Sequence, residues 1–164
     1  MLSLSSVVAI AFSVGGVALS AGAGIVPERT AAFDLPSGVH VVIVEAPFAP
    51  RHSIGCFIGS AAPKTYVKRI TATYHGRSWL LDSSCMFDAW GERPLQIEGV
   101  IRYFGGKCDD DGSCAFRGLF SDGAESFVAE WYISDGIAKR TVFSGSVDLK
   151  SLFMKNIDPP TYDE

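Results

Sequence analysis

Ser126-Phe127-Val128-Ala129-Glu130-Trp131-Tyr132-Ile133-Ser134 runs into Asp135-Gly136 and out again as Ile137-Ala138-Lys139-Arg140-Thr141-Val142-Phe143. Both runs are rich in β-branched and aromatic residues, and Asp-Gly between them supplies the two positive-φ positions of a type I′ turn. The reading is a hairpin, and it makes the chain an antiparallel β protein. Working outward, Val39 to Glu45 is a β-branched run between Pro36-Ser37-Gly38 and Pro47. Tyr66 to Tyr74, with Ile70, Ala72 and Tyr74 on one side, turns at His75-Gly76 into Ser78 to Leu81. Leu95 to Tyr103 alternates as a half-buried strand, Ala115 to Phe120 returns from the Cys108–Cys114 loop, and Ser53 to Ile58 is a further candidate.

Helix is nearly absent. One candidate covers Val147 to Asn156, with Ser146 as N-cap and Pro159-Pro160 as the stop, and is expected to pack on a sheet end. Short strands with turn signals at roughly ten-residue spacing predict an all-β fold, an antiparallel β-sandwich or small barrel of seven to nine strands with one short C-terminal helix. The expected organisation is a linker over 24–30, a single domain over 31–158 and a tail over 159–164, with no internal repeat.

Residues 7–20 are apolar and uncharged, and Ala21-Gly22-Ala23 has the small-x-small form of a signal-peptidase site, so residues 1–23 read as a cleaved leader. The stretch is a poor membrane span, given its glycines and serines, and no stable membrane insertion is expected after cleavage. The first residues lack the usual Lys or Arg. None of the 14 Lys and Arg or the 18 Asp and Glu falls before residue 24, so the remaining segment of about 140 residues carries all the charge, one domain's worth. All four cysteines lie in it, an even set as in an oxidising compartment, so the protein is expected to be exported, periplasmic or extracellular. Five residues with an Asp-Gly turn separate Cys108 from Cys114; a bridge there leaves Cys56 for Cys85. Loop entropy assigns about 2 and about 3.5 kcal/mol to the two bridges. No C-x-x-C pair or neighbouring histidine suggests zinc.

A net charge of −4 and a pI near 5.3 exclude a general nucleic-acid binder, and Lys64, Lys68 and Arg69 form too small a cluster for nucleic acid or anionic lipid. The sequence holds no nucleophile elbow, metalloprotease helix, P-loop or dinucleotide fingerprint. His40, His52 and His75 are its only histidines, and His75 lies in a turn. Asp122, Glu125, Glu130 and Asp135 could supply a hydrolytic carboxylate pair, although Glu125 and Glu130 point to opposite faces of one strand. Glu130 stands among apolar neighbours and needs a partner such as Arg140 across the hairpin, unless burial raises its pKa. Asp109-Asp110-Asp111 could ligate calcium, together with Asp82, Asp88 or Asp122 at the same sheet end; an EF-hand fails because its twelfth position is Phe120. The plainer reading is a solvated turn. Trp79, Met86, Phe87 and Trp90 are core or an aromatic binding surface, with Phe87 and Trp90 the candidates for contact. The expectation is an exported, disulfide-stapled β-domain that binds an envelope protein or small ligand, without cofactor or catalysis. A calcium-dependent binding module and a carboxylate hydrolase are the alternatives.

Overall fold

The computed structural model describes residues 28–49, 56, 62–89, 104–121 and 126–157. Its strands are β1 (Arg29–Asp34), β2 (His40–Pro47), β3 (Thr65–Tyr74), β4 (Arg77–Leu81), β5 (Phe104–Cys108), β6 (Cys114–Phe120), β7 (Phe127–Ser134) and β8 (Ile137–Ser144), followed by helix α1 (Val147–Lys155). They form two separate four-stranded antiparallel sheets, β1-β2-β3-β4 and β5-β6-β7-β8. Two sheets without a joining ladder make this a sandwich, disulfide-stapled as expected.

The Asp135-Gly136 turn forms with φ of 54° and 77°, and His75-Gly76 repeats it at 47° and 76°. These are the two left-handed central residues of a type I′ turn, whose twist matches the strands it joins. The other two hairpins are also alike. Leu35 N–H donates to Val39 O (2.8 Å) and Gly38 N–H to Leu35 O (2.9 Å); Asp109 N–H donates to Ser113 O (2.8 Å) and Gly112 N–H to Asp109 O (3.0 Å). A left-handed glycine closes each, Gly38 at φ 81° and Gly112 at 92°. The two sheets thus share one sequence of connections, wide turn then tight turn, although no internal repeat is legible in the residues. A Cβ on Gly112 would lie 2.6 Å from the Arg77 guanidinium, so the turns of both sheets gather at one end. The strand ends Pro47, Thr65, Leu81, Phe104, Phe120 and Phe127 lie at the other.

Ile70 and Ala72 of β3, read from sequence as one side of an alternating strand, are buried, and they share one core with Trp79 and Leu81 of β4 and with Phe127, Ala129, Trp131 and Ile133 of β7. Val128, on the other face of β7, is buried as well. Phe104 stacks on Trp131 (centroids 6.0 Å apart) and meets Phe33 and Phe120 edge-on at 5.8 and 6.2 Å. Gly118 makes room for these rings, since a Cβ there would lie 2.6 Å from Phe120. Trp131 Nε1 donates to Asp82 O at 2.8 Å, so its burial leaves no orphaned donor.

The disulfides are Cys56–Cys85 and Cys108–Cys114, the expected pairing. Of the two strand candidates that are not among β1 to β8, Leu95 to Tyr103 falls outside the described residues. So does Ser53 to Ile58 except for Cys56, which lies in a turn. Three expectations are corrected. Arg29 and Thr30 belong to β1 and not to a linker, because Arg29 is paired with Glu45 across the ladder. Helix α1 starts where expected, but the Ser146 side chain makes no capping bond. It also lies over the outward side of β6 and β7 instead of a sheet end, anchored by buried Phe153 and by Lys150 Nζ donating to Ser126 Oγ at 3.1 Å.

Candidate functional site

Several of the carboxylates singled out in the sequence hold structural hydrogen bonds. Asp109, Asp110 and Asp111 are exposed in the β5–β6 turn, where Asp111 accepts from Ser113 N–H at 2.7 Å and Ser113 Oγ at 3.2 Å. Asp88 Oδ1 takes the N–H groups of Lys64 (2.9 Å) and Thr65 (2.8 Å) and lies 3.1 Å from Thr65 Oγ1. Asp82 accepts from Ser84 N–H at 2.9 Å and pairs with Arg140 at 3.3 Å. Burial alone would push its carboxyl up, but the Ser84 hydroxyl and N–H and the Arg140 charge outweigh it and hold the pKa below the usual value. Among the described residues, no three His, Cys, Asp or Glu side chains gather as a metal site requires. Asp135 is exposed in its turn, and Asp122, Glu125, Trp90 and His52 lie outside the described residues.

Glu130 does have a cationic partner, but it is Arg117 on β6, not Arg140. A bulge between Glu130 and Trp131 slips the register so that Arg140 faces Trp131 and Glu130 faces Val142. Arg117 Nε and Nη2 donate to Glu130 Oε2 at 2.9 and 2.5 Å, and Thr141 Oγ1 donates to Oε1 at 3.1 Å. Arg117 Nη1 reaches Asn156 O at 2.9 Å, and the guanidinium lies 4.2 Å from the centre of the Phe153 ring. Glu45, which sequence reasoning passed over, repeats this arrangement in the first sheet. Its Oε2 accepts from Arg29 on β1, Nε at 3.0 Å together with Nη2, and its Oε1 accepts from Thr65 Oγ1 on β3 at 2.6 Å. A bulge adjoins this glutamate too, between Val44 and Glu45. Both carboxylates are spent on bracing three adjacent strands.

Of the aromatic candidates, Phe87 is buried, edge-on to Phe48 with centroids 5.9 Å apart, and Trp79 and Met86 belong to the core. His75 is exposed and stacked on Tyr74 at 3.9 Å, while His40 Nδ1 lies 2.7 Å from Asp34 Oδ1 on the surface.

What the structure adds is a groove on the outer side of the first sheet. The register passes from Val44 opposite Arg69 to Glu45 opposite Val67, which leaves Lys68 unopposed. This bulge places both Lys68 and Arg69 on the outside while Glu45 turns in. Beside them Leu80 of β4 is 65% exposed. Glu28, Val44, Lys68, Arg69 and Leu80 line a depression of about 200 Å³. A second, of about 370 Å³, continues from Lys68 and Leu80 to Ser83, Ser84 and Ala138. Lys68 Nζ bonds Glu28 Oε2 at 2.9 Å, and that hydrogen bond with the carboxylate's charge raises the lysine's pKa. The floor at the far end is fixed: Arg140 Nη2 bonds Ser84 Oγ at 3.1 Å and Nη1 donates to Ser84 O, which ties the edge of one sheet to the exit of the other. The groove combines an apolar wall with two cations.

Comparison of the chain with family models, with curated proteins and with solved structures finds no match.

Proposed function

We propose that this is an exported β-sandwich that acts by binding, and that its partner sits in the groove along β3 and β4. The observation that carries the reading is Leu80, a large apolar side chain left 65% exposed beside Val44, Lys68 and Arg69 on a braced sheet. An apolar contact flanked by charge is the usual make-up of a protein-binding patch. Export is supported by the two disulfides and by the apolar segment at 7–20; among the described residues no helix is long and apolar enough to cross a membrane. The commitment of Glu45, Glu130 and Asp82 to structural partners speaks for binding over hydrolysis.

The test is photo-crosslinking of the disulfide-intact protein in an envelope extract from its source, comparing wild type with Leu80→Asp, Arg69→Glu and, on the opposite sheet, Tyr132→Asp. A partner lost with the first two variants and kept with the third is expected. A partner retained by all three, or turnover of a hydrolase substrate panel by the purified protein, would refute the reading.

A further inference from the structure

The backbone at the rim of this groove is open. In a two-residue hairpin the residues flanking the turn exchange hydrogen bonds and the next pair does not, in strict alternation. With Tyr74 opposite Arg77, the bonded pairs are Tyr74–Arg77, Ala72–Trp79 and Ile70–Leu81. Thr73–Ser78 and Thr71–Leu80 are the non-bonded ones, and the 2.8 Å contact of the Thr73 and Ser78 hydroxyls fits the closer approach of such a pair. Ser78 and Leu80 therefore turn their N–H and C=O groups away from β3. Among the described residues neither has a backbone hydrogen-bond partner, and β8, the nearest strand beyond, belongs to the other sheet. The β5 edge differs, since the Ser37 hydroxyl donates to Gly106 O at 2.6 Å. Edge strands left in this state are templates for another strand.

We propose that β4 receives an extended segment of a partner protein as a fifth strand, one that presents an apolar residue and then acidic ones at every second position, on the face it shares with Leu80, Lys68 and Arg69. This rests on the groove being the binding surface and names what fills it. The segment's main chain takes up the four free groups of Ser78 and Leu80, and its apolar side chain packs on Leu80. Its carboxylates face Lys68 and Arg69, the latter with no acidic partner among the described residues. Charge complementarity selects an acidic segment in preference to a second copy of this chain, whose own β4 carries Arg77 and no acid. Strand addition draws affinity from the main chain and specificity from alternate side chains.

The probe is a labelled peptide of sequence Val-Thr-Glu-Thr-Glu, whose valine and glutamates share one face, set against a counterpart with lysine in place of glutamate and a version N-methylated at alternate amides, titrated into the disulfide-intact protein. Expected is binding of the glutamate peptide at least about tenfold tighter than either control. Slowed amide exchange at Ser78 and Leu80 should accompany it, and Arg69→Glu should reverse the charge preference. Equal binding of the N-methylated or lysine peptide, or unchanged exchange at both amides, would overturn the proposal. So would protection of those amides without peptide in a protein that sediments as a dimer, which would make the occupant a second copy. If the crosslinked envelope partner depends on Leu80 yet leaves both amides unprotected, the groove stands as the binding site and strand addition fails.

Discussion

Glu130→Leu tests whether the two glutamates brace the sheets. Glu130 and Arg117 side chains are 12% and 8% exposed, and Arg117 gives Glu130 two hydrogen bonds. Removing one member of such a pair leaves the other charge buried without compensation, at a cost of about 3 kcal/mol. In a domain of this size that corresponds to a fall in Tm of about 12 °C. Arg117→Met should cost about 1 kcal/mol more, because it also removes the hydrogen bond to Asn156 O and the stacking over Phe153 that tether α1. The double variant Arg117→Met/Glu130→Leu should recover most of the loss and lie within about 2 kcal/mol of wild type, since two apolar groups of similar volume need no compensation. Urea unfolding of the oxidised protein gives all four corners of the cycle, and amide exchange in 147–155 separates loss of the helix from loss of the pair. A cost below about 1 kcal/mol for Glu130→Leu, or a double variant as unstable as the sum of the singles, would refute the reasoning.

Asp82, held below the usual carboxylate pKa, contributes stability that is present above the unfolded-state value of about 3.9 and lost as pH falls through its lower folded value. Asp82→Asn should therefore cost less than about 1 kcal/mol at pH 7, solvent screening a half-exposed carboxylate, and the difference in urea midpoint should shrink as pH falls through the lowered pKa of Asp82. Gly118→Ala should destabilise by about 1–3 kcal/mol and alter the near-ultraviolet circular dichroism, as the Phe120 ring must move. Replacing Cys108 and Cys114 together by serine should cost about 2 kcal/mol, and Cys56 with Cys85 about 3.5, read from urea midpoints of variants that keep the other bridge.

The sequence was most informative where one residue type answers one backbone demand. Asp135-Gly136 specifies a type I′ turn, and the alternation through Ile70 and Ala72 specifies which side of β3 is core. The cysteine pairing followed from spacing and elimination. The partner of Glu130 was not legible, because a bulge adds one residue to one strand and leaves no mark in composition, yet it moves every cross-strand neighbour beyond it. The bulge beside Glu45 hid the groove in the same way: Lys68 and Arg69 read as a minor cluster, and Leu80 as one more strand residue, until the register set them on one surface. The likeness of the wide turns was hidden too. Leu35-Pro36-Ser37-Gly38-Val39 and Asp109-Asp110-Asp111-Gly112-Ser113 share only the glycine that the left-handed position requires.

Among the described residues, each sheet's ladders join only strands that are consecutive in the chain. This bears on how the molecule is assembled. Each four-strand meander can zip from its own tight hairpin outward, closing small loops one after another, and neither waits for the other to supply a strand. The contacts between the meanders, Trp131 on Asp82 O and Arg140 on Ser84 among them, are then the late, distant ones. Substitutions at that joint should act mainly on the unfolding rate, and substitutions in the two tight turns on the rate of folding.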